Sequence, residues 1–154
     1  MPGYSGTPLA KKLGIKENFR AALLHVPDDV KTELRDAFGK CRIQPITGKN
    51  SSNNDLDFIF LFAKSRAGLE LELLPAAEAL APAGMLWISW PKKSSGVPTD
   101  LTGDIVRQSG LDAGLVDIKV CAVTDVWSGL KFVIPVKNRP KQKRRTPSTA
   151  APIP

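Results

Sequence analysis

The chain holds one histidine, two cysteines and one tyrosine in 154 residues, and these shortages remove whole classes of chemistry. With His25 alone, no metal site can be assembled from several histidines, and a nucleophilic triad would have to be built on that one imidazole. Cys41 and Cys121 are too few and too far apart for a disulfide framework, and neither belongs to a CxxC pair, so a reduced, cytoplasmic setting is expected. The longest apolar run, Phe58 to Ala63, is six residues, far short of a membrane span. The opening MPGYSGTPLAKK lacks the apolar stretch of a secretory signal. No pair of carboxylates flanks a nucleophile, and Asp28-Asp29 reads as a helix cap.

Acidic residues are missing from one region in particular. The formal charge is +7, and six of those charges are Lys137, Arg139, Lys141, Lys143, Arg144 and Arg145, with no acid among them. Residues 1–136 therefore carry about one net positive charge, so the electrostatics of the chain concern its end. From 137 to 154 the sequence is basic and rich in Pro, Ser and Thr, with almost nothing to bury, which predicts a disordered tail. Residues 1–136 are expected to form one domain, with a hydrophobic content of 42% over the whole chain that is ordinary for a globular protein.

What is present alternates strand and helix. TPLAKKLG, residues 7 to 14, predicts a short helix with Thr7 as its cap, Pro8 first and Gly14 closing it. Arg20 to Val26 reads as a buried strand, and Pro27-Asp28-Asp29 starts a helix with Val30, Leu34, Ala37 and Phe38 on one face. Arg42 to Ile46 is a short second strand, and residues 48 to 55 are turn chemistry throughout. Leu56 to Ala63 is the clearest strand, apolar on both faces. Ser65 can cap the helix after it, with Leu69, Leu73, Ala77 and Leu80 at helical spacing. LELELL at 69 to 74 also alternates as a strand would, and Pro75 opposes a helix, but a crossover is needed between two parallel strands.

Met85 to Trp90 forms the next strand. Thr99 or Asp100 caps a helix with Leu101, Ile105 and Val106 inward, ending near Gly110 or Gly114. Asp117 to Val126 and Leu130 to Val136 close the chain as a hairpin turning at Trp127-Ser128-Gly129. Right-handed crossovers then give a three-layer α/β fold around a mostly parallel sheet of about six strands. The hairpin tip places Trp127 either as an exposed anchor or folded back on the core, and folding back is preferred. Cys121, mid-strand, reads as a small core residue.

LDFIF at 56 to 60 and LAPAGML at 80 to 86 resemble the second half of class I S-adenosylmethionine-dependent methyltransferases, with Leu80, Pro82, Gly84 and Leu86 matching the turn into the following strand. The resemblance implies a Rossmann-like open sheet in the order 2-1-3-4-6-5 with an antiparallel C-terminal hairpin. Those enzymes place a glycine-rich loop after the first strand, where backbone N–H groups approach the ligand closely. This chain reads HVPDDVKTEL there, with no glycine and with carboxylates instead, and Gln44-Pro45 stands where a ribose-binding acid would follow the second strand. The same gap opposes dinucleotide binding, and no cofactor is expected. A more specific likeness joins YSGTPLAKKLGIK (4 to 16), WPKKSSGVPTDLT (90 to 102) and VDIKVCAVTDVWSGLKFV (116 to 133) to a family of small bacterial proteins known only as a domain of unknown function.

Candidate residues gather at the predicted strand ends, where open α/β sheets bind ligands. They are His25 after the first strand, Lys64, Ser65 and Arg66 after the third, and Trp90, Lys92, Lys93, Ser94 and Ser95 after the fourth. Four cations, three hydroxyls and a helix N-terminus suit a phosphate or carboxylate, with Trp90 as a wall. The plainer reading is a solvated connector shaped by Pro91 and Gly96, with His25 a packed side chain. The sequence thus supports a binding or regulatory protein without a catalytic centre, whose partner is another protein or a small anion. The alternatives are a nucleotide binder at this crevice and a degenerate methyltransferase. Nucleic acid would be reached only through the basic tail, and no membrane partner is expected.

Overall fold

The computed structural model describes residues 8–46 and 55–138. Six strands form one sheet in the order β2-β1-β3-β4-β6-β5. Strands β1 (Arg20–Leu24), β2 (Arg42–Ile43), β3 (Leu56–Phe62) and β4 (Leu80–Pro91) run parallel. Strand β6 (Trp127–Val133) is antiparallel to both β4 and β5 (Val116–Ala122). This is the α/β architecture and strand order expected. Thr7, the 48–54 part of the turn region, and the segment beyond residue 138 with its disordered-tail expectation lie outside the described residues.

Strand β3 organises the molecule because its side chains alternate between two dry layers. Leu56, Ile59 and Leu61 join the core under helices α4 (Arg66–Ala79) and α5 (Gly103–Asp112). Phe58, Phe60 and Phe62 join the core under α1 (Leu9–Leu13), α2 (Asp28–Glu33) and α3 (Arg35–Gly39). On the second face the rings of Phe38, Phe58, Phe60, Phe62 and Trp127 follow one another with centroids 6.4, 5.8, 4.7 and 4.8 Å apart. Each such tilted contact adds about 0.5–1.5 kcal/mol beyond area burial. Helix α1, too short to stand alone, leans on the sheet through buried Leu9 and Leu13, and the Leu13 carbonyl accepts Trp87 Nε1 at 2.9 Å. Gly14 closes it in the left-handed conformation at φ 81°.

Several boundaries differ from the sequence reading, each for a local reason. Strand β1 ends at Leu24, because His25 turns the chain at φ 60°. Strand β2 is only two residues long. The helix read from Pro27 is broken at Leu34 (φ −100°, ψ 11°) into α2 and α3, yet Val30, Leu34 and Phe38 still share one buried face. Helix α4 continues through Pro75; the carbonyl deprived of a partner belongs to Leu71, whose side chain is 75% exposed, so water can satisfy it.

Leu80 is not the last turn of α4 but the first residue of β4, opposite Leu56. The next partners are Phe58 and Met85, so Ala81 to Gly84 bulge from the ladder. A Cβ on Gly84 would lie 2.5 Å from the Leu56 carbonyl, so that bulge requires glycine. Thr102, not Thr99 or Asp100, caps α5, its Oγ1 accepting from Ile105 N at 3.2 Å. The hairpin turns over residues 123 to 126, where Thr124 Oγ1 accepts from Val126 N and Trp127 N. Trp127 is therefore the first residue of β6, 7% exposed and folded onto the core.

Candidate functional site

Beyond Leu24 the chain leaves the sheet through a residue in a conformation that side chains rarely adopt. His25 has φ 60°, a region in which histidine is tolerated better than most residues but which still costs about 1–3 kcal/mol. Val26 is buried behind it, and Pro27, which has no N–H, leads into α2 with Asp28 and Asp29 in its first turn. The left-handed step lifts the His25 imidazole above the sheet, where Nε2 lies 3.0 Å from Glu72 Oε2 of α4. Glu72 can reach because it stands seven residues after Ser65, on the side of α4 that faces β1. Their side chains are 63% and 31% exposed, so the pair sits at a lip and not in the core.

Below that lip is a cavity of about 470 Å³ lined by His25, Pro27, Phe62, Ala63, Lys64, Gly68, Glu72 and Trp127. It opens between the ends of β1 and β3, where the helix after one strand packs on one face of the sheet and the helix after the other packs on the opposite face. This is the switch point at which open sheets of this class bind ligands. Phe62 and Trp127 meet edge to face in its wall, centroids 4.8 Å apart at 71°. Apolar walls thus carry one imidazole–carboxylate pair and one ammonium group. An imidazole that donates Nε2–H to Glu72 keeps Nδ1 to accept from a ligand when neutral, and to donate when protonated.

The remaining predicted residues are not gathered here. Trp90, Lys92 and Lys93 line a second cavity of about 730 Å³ with Pro98, Thr99, Asp100 and Gly103, and the two cavities share no lining residue. Ser65 is used internally, its Oγ accepting from Gly68 N at 3.0 Å as the cap of α4. Asp100 Oδ1 accepts Arg66 N at 2.7 Å, so the helix N-terminus read as an anion site already holds a carboxylate of the chain itself. The Arg66 guanidinium pairs with Glu70 at 3.1 Å. Ser95 Oγ donates to the Lys92 carbonyl at 2.6 Å and accepts from Val97 N, which shapes the loop around Gly96 (φ 79°). Ser94 is exposed and lines neither cavity. Thr99 Oγ1 donates to the Lys64 carbonyl at 2.6 Å, tying the loop to the end of β3.

Sequence reasoning missed Glu72, Pro27 and Phe62 as cavity residues, and placed Trp127 at the wrong point of the hairpin. The one available clue to Glu72 was the helical reading of LELELL, which puts it between Ser65 and Ala79 on a side of α4. Elsewhere, burial raises the Cys121 thiol pKa against the pull of Lys12, Lys119 and Lys92, and burial likewise raises that of Cys41. Among the described residues no three His, Cys, Asp or Glu side chains gather as metal ligands, and no helix is long and apolar enough to cross a membrane.

The architecture is shared with solved methyltransferases. A SAM dependent methyltransferase from Aquifex aeolicus is similar over 82% of this chain and 88% of its own, with a TM-score of 0.58 at 16% identity. A chain of the complex between the Haloferax volcanii Trm112 methyltransferase activator and a methyltransferase has a TM-score of 0.58 at 12% identity, covering 82% and 87%. A TehB-like SAM-dependent methyltransferase from Corynebacterium glutamicum covers 86% and 90%, with a TM-score of 0.51 at 12% identity. At such identities the likeness concerns the fold.

S-adenosylmethionine, which that fold implies, does not fit the turn after β1. Between Gly14 and Gly39 the chain has no glycine, and the turn presents the His25 ring, a proline without N–H, and two carboxylates. No curated protein matches the chain. The family described as "Protein of unknown function (DUF3052)" matches residues 10–136, which is most of the sequence, and the chain belongs to that family.

Proposed function

We propose that this chain is a binding protein on a methyltransferase-like scaffold, and that its ligand is a small molecule entering the cavity between β1 and β3. One observation carries the reading: an apolar cavity of about 470 Å³ at the switch point, with a His25–Glu72 pair and Lys64 at its mouth. Such a site suits a molecule with a flat apolar body and one polar or anionic group. The body would lie against Pro27, Phe62 and Trp127. The polar group would meet Lys64 and the free nitrogen of His25, whose orientation Glu72 holds.

The reading is of binding and not of catalysis because the polar set contains no nucleophile beside a base. The charged groups of the cavity, His25, Glu72 and Lys64, suit recognition of a polar or anionic group and do not make a nucleophilic centre. Methyl transfer is disfavoured by the turn after β1, as argued above.

A thermal-shift panel tests this, using nucleosides, nucleotides, aromatic carboxylates, inorganic phosphate, S-adenosylmethionine and S-adenosylhomocysteine. A true ligand at a hundred times its dissociation constant adds about 2.7 kcal/mol of stability. The expected result is a shift from a compound with an aromatic body and an anionic group, reduced in His25→Ala and Lys64→Ala. No shift from any compound, or a shift unchanged in both variants, sinks the proposal. A large shift from S-adenosylmethionine with transfer of its methyl group would replace it with an enzyme.

A further inference from the structure

On the α1 side of the hairpin, two lysines of neighbouring strands face each other. Lys119 of β5 is directly opposite Lys131 of β6, a like-charge cross-strand pair that weakens a sheet. Both point to the α1 side: Lys119 Nζ donates to the Lys12 carbonyl at 3.1 Å, and Lys131 is also opposite Trp87, whose indole reaches Leu13. Two residues along from Lys119, on the same side, the Cys121 thiol lies within the field of Lys12, Lys119 and Lys92. On β5 itself the one acid, Asp117, stands opposite Phe132 on the other face of the sheet and pairs with Arg107 at 3.2 Å. Among the described residues neither Lys119 nor Lys131 forms an ion pair with a carboxylate. Burial and then the charge of Lys119 push the Lys131 pKa below its usual range, the sign of a cation in an unfavourable place.

We propose that this strip is a contact surface for the phosphate backbone of a nucleic acid, bound without base selectivity. Three features favour that occupant over an acidic protein. The lysines act as point charges, a good match to phosphates and a poor one to the aromatic and Arg anchors that dominate protein interfaces. The strip has no exposed aromatic ring on which a base could stack, so contacts stop at the backbone. It is also continuous in sequence with the six cations from Lys137 to Arg145, the first of which lies only six residues after Lys131. Phosphates laid across Lys119 and Lys131 would relieve the repulsion that the free protein tolerates. This surface is separate from the cavity between β1 and β3, and does not depend on it.

The test is fluorescence anisotropy of the full chain with a labelled single-stranded oligonucleotide of mixed sequence, across a salt series. Binding should weaken linearly in log–log form, and a second sequence should bind equally. In Lys119→Gln/Lys131→Gln the slope should fall by about 1.4, the value for two lost phosphate contacts on a single strand, with binding roughly tenfold weaker at low salt. The same variant should melt no lower than the unaltered chain, and Lys119→Arg/Lys131→Arg should restore binding. No binding at low salt overturns the proposal, as does a glutamine variant that binds with undiminished affinity and slope. Tighter binding to polyglutamate or to anionic vesicles than to the oligonucleotide also overturns it, in favour of an acidic protein or a membrane surface.

Discussion

Glycine would adopt the backbone conformation of His25 without strain, so the ring is held there against a local preference. Replacing it should expose that cost. His25→Gly is expected to raise stability by up to about 1 kcal/mol, since the exposed pair with Glu72 contributes little. Urea denaturation checks this, and a clear loss of stability would mean that the pair matters more than the strain. Gly110 poses the opposite case: a Cβ there would run into the Phe132 ring, which is fully buried. Gly110→Ala should therefore destabilise by about 1–3 kcal/mol, read as a lower urea midpoint with an unchanged slope.

The cysteines give a pH dependence. Because burial raises both thiol pKa values, the folded chain keeps protons that the unfolded chain releases above about pH 8.5. The thiols' contribution is complete below that pH and declines as pH rises, the unfolded state then binding fewer protons. Comparing urea midpoints at neutral and alkaline pH, the unaltered chain should lose more stability than Cys41→Ala/Cys121→Ala.

At the scale of the element, the helix α4 start is the instructive case. Ser65 announced its cap in the sequence and performs it. Asp100 did not, because the bond it makes joins residues 34 positions apart, and only the packing of the loop after β4 brings them together. The local reading assigned Asp100 to the next helix, where Thr102 serves instead. Removing a cap costs about 1 kcal/mol, so Asp100→Ala should lower stability by that amount. Amide exchange should localise the change to the first turn of α4 and not to α5. Boundaries elsewhere erred for related reasons. The bulge of Ala81 to Gly84 and the start of β6 at Trp127 depend on pairing partners far away in sequence.

For the whole molecule, the near-continuous apolar run LDFIFLF was enough to predict a strand covered on both faces, and β3 contributes to both core layers. The strand order followed from the methyltransferase resemblance and is the order observed. What stayed illegible was the division of the predicted residues between two cavities. Sequence places residues at the ends of strands but does not say on which face of the sheet the chain departs. The sheet order also fixes a hierarchy of opening: β1, β3, β4 and β6 are flanked by strands on both sides, whereas β2 and β5 are edges. Native-state hydrogen exchange should find the slowest amides in β3 and β4 and fast ones in β5, where one edge of the ladder has no neighbour. Equal protection across the sheet would contradict that order.

The hydroxyl of Thr99 and the carboxylate of Asp100 bind the chain at Lys64 and Arg66, immediately beyond β3. Lys64 belongs to one chamber, while Thr99 and Asp100 belong to the other. They act as a clasp between neighbouring rooms. A visitor that loosened the clasp from one side would change the doorway of the other, and the influence would have to run equally in both directions.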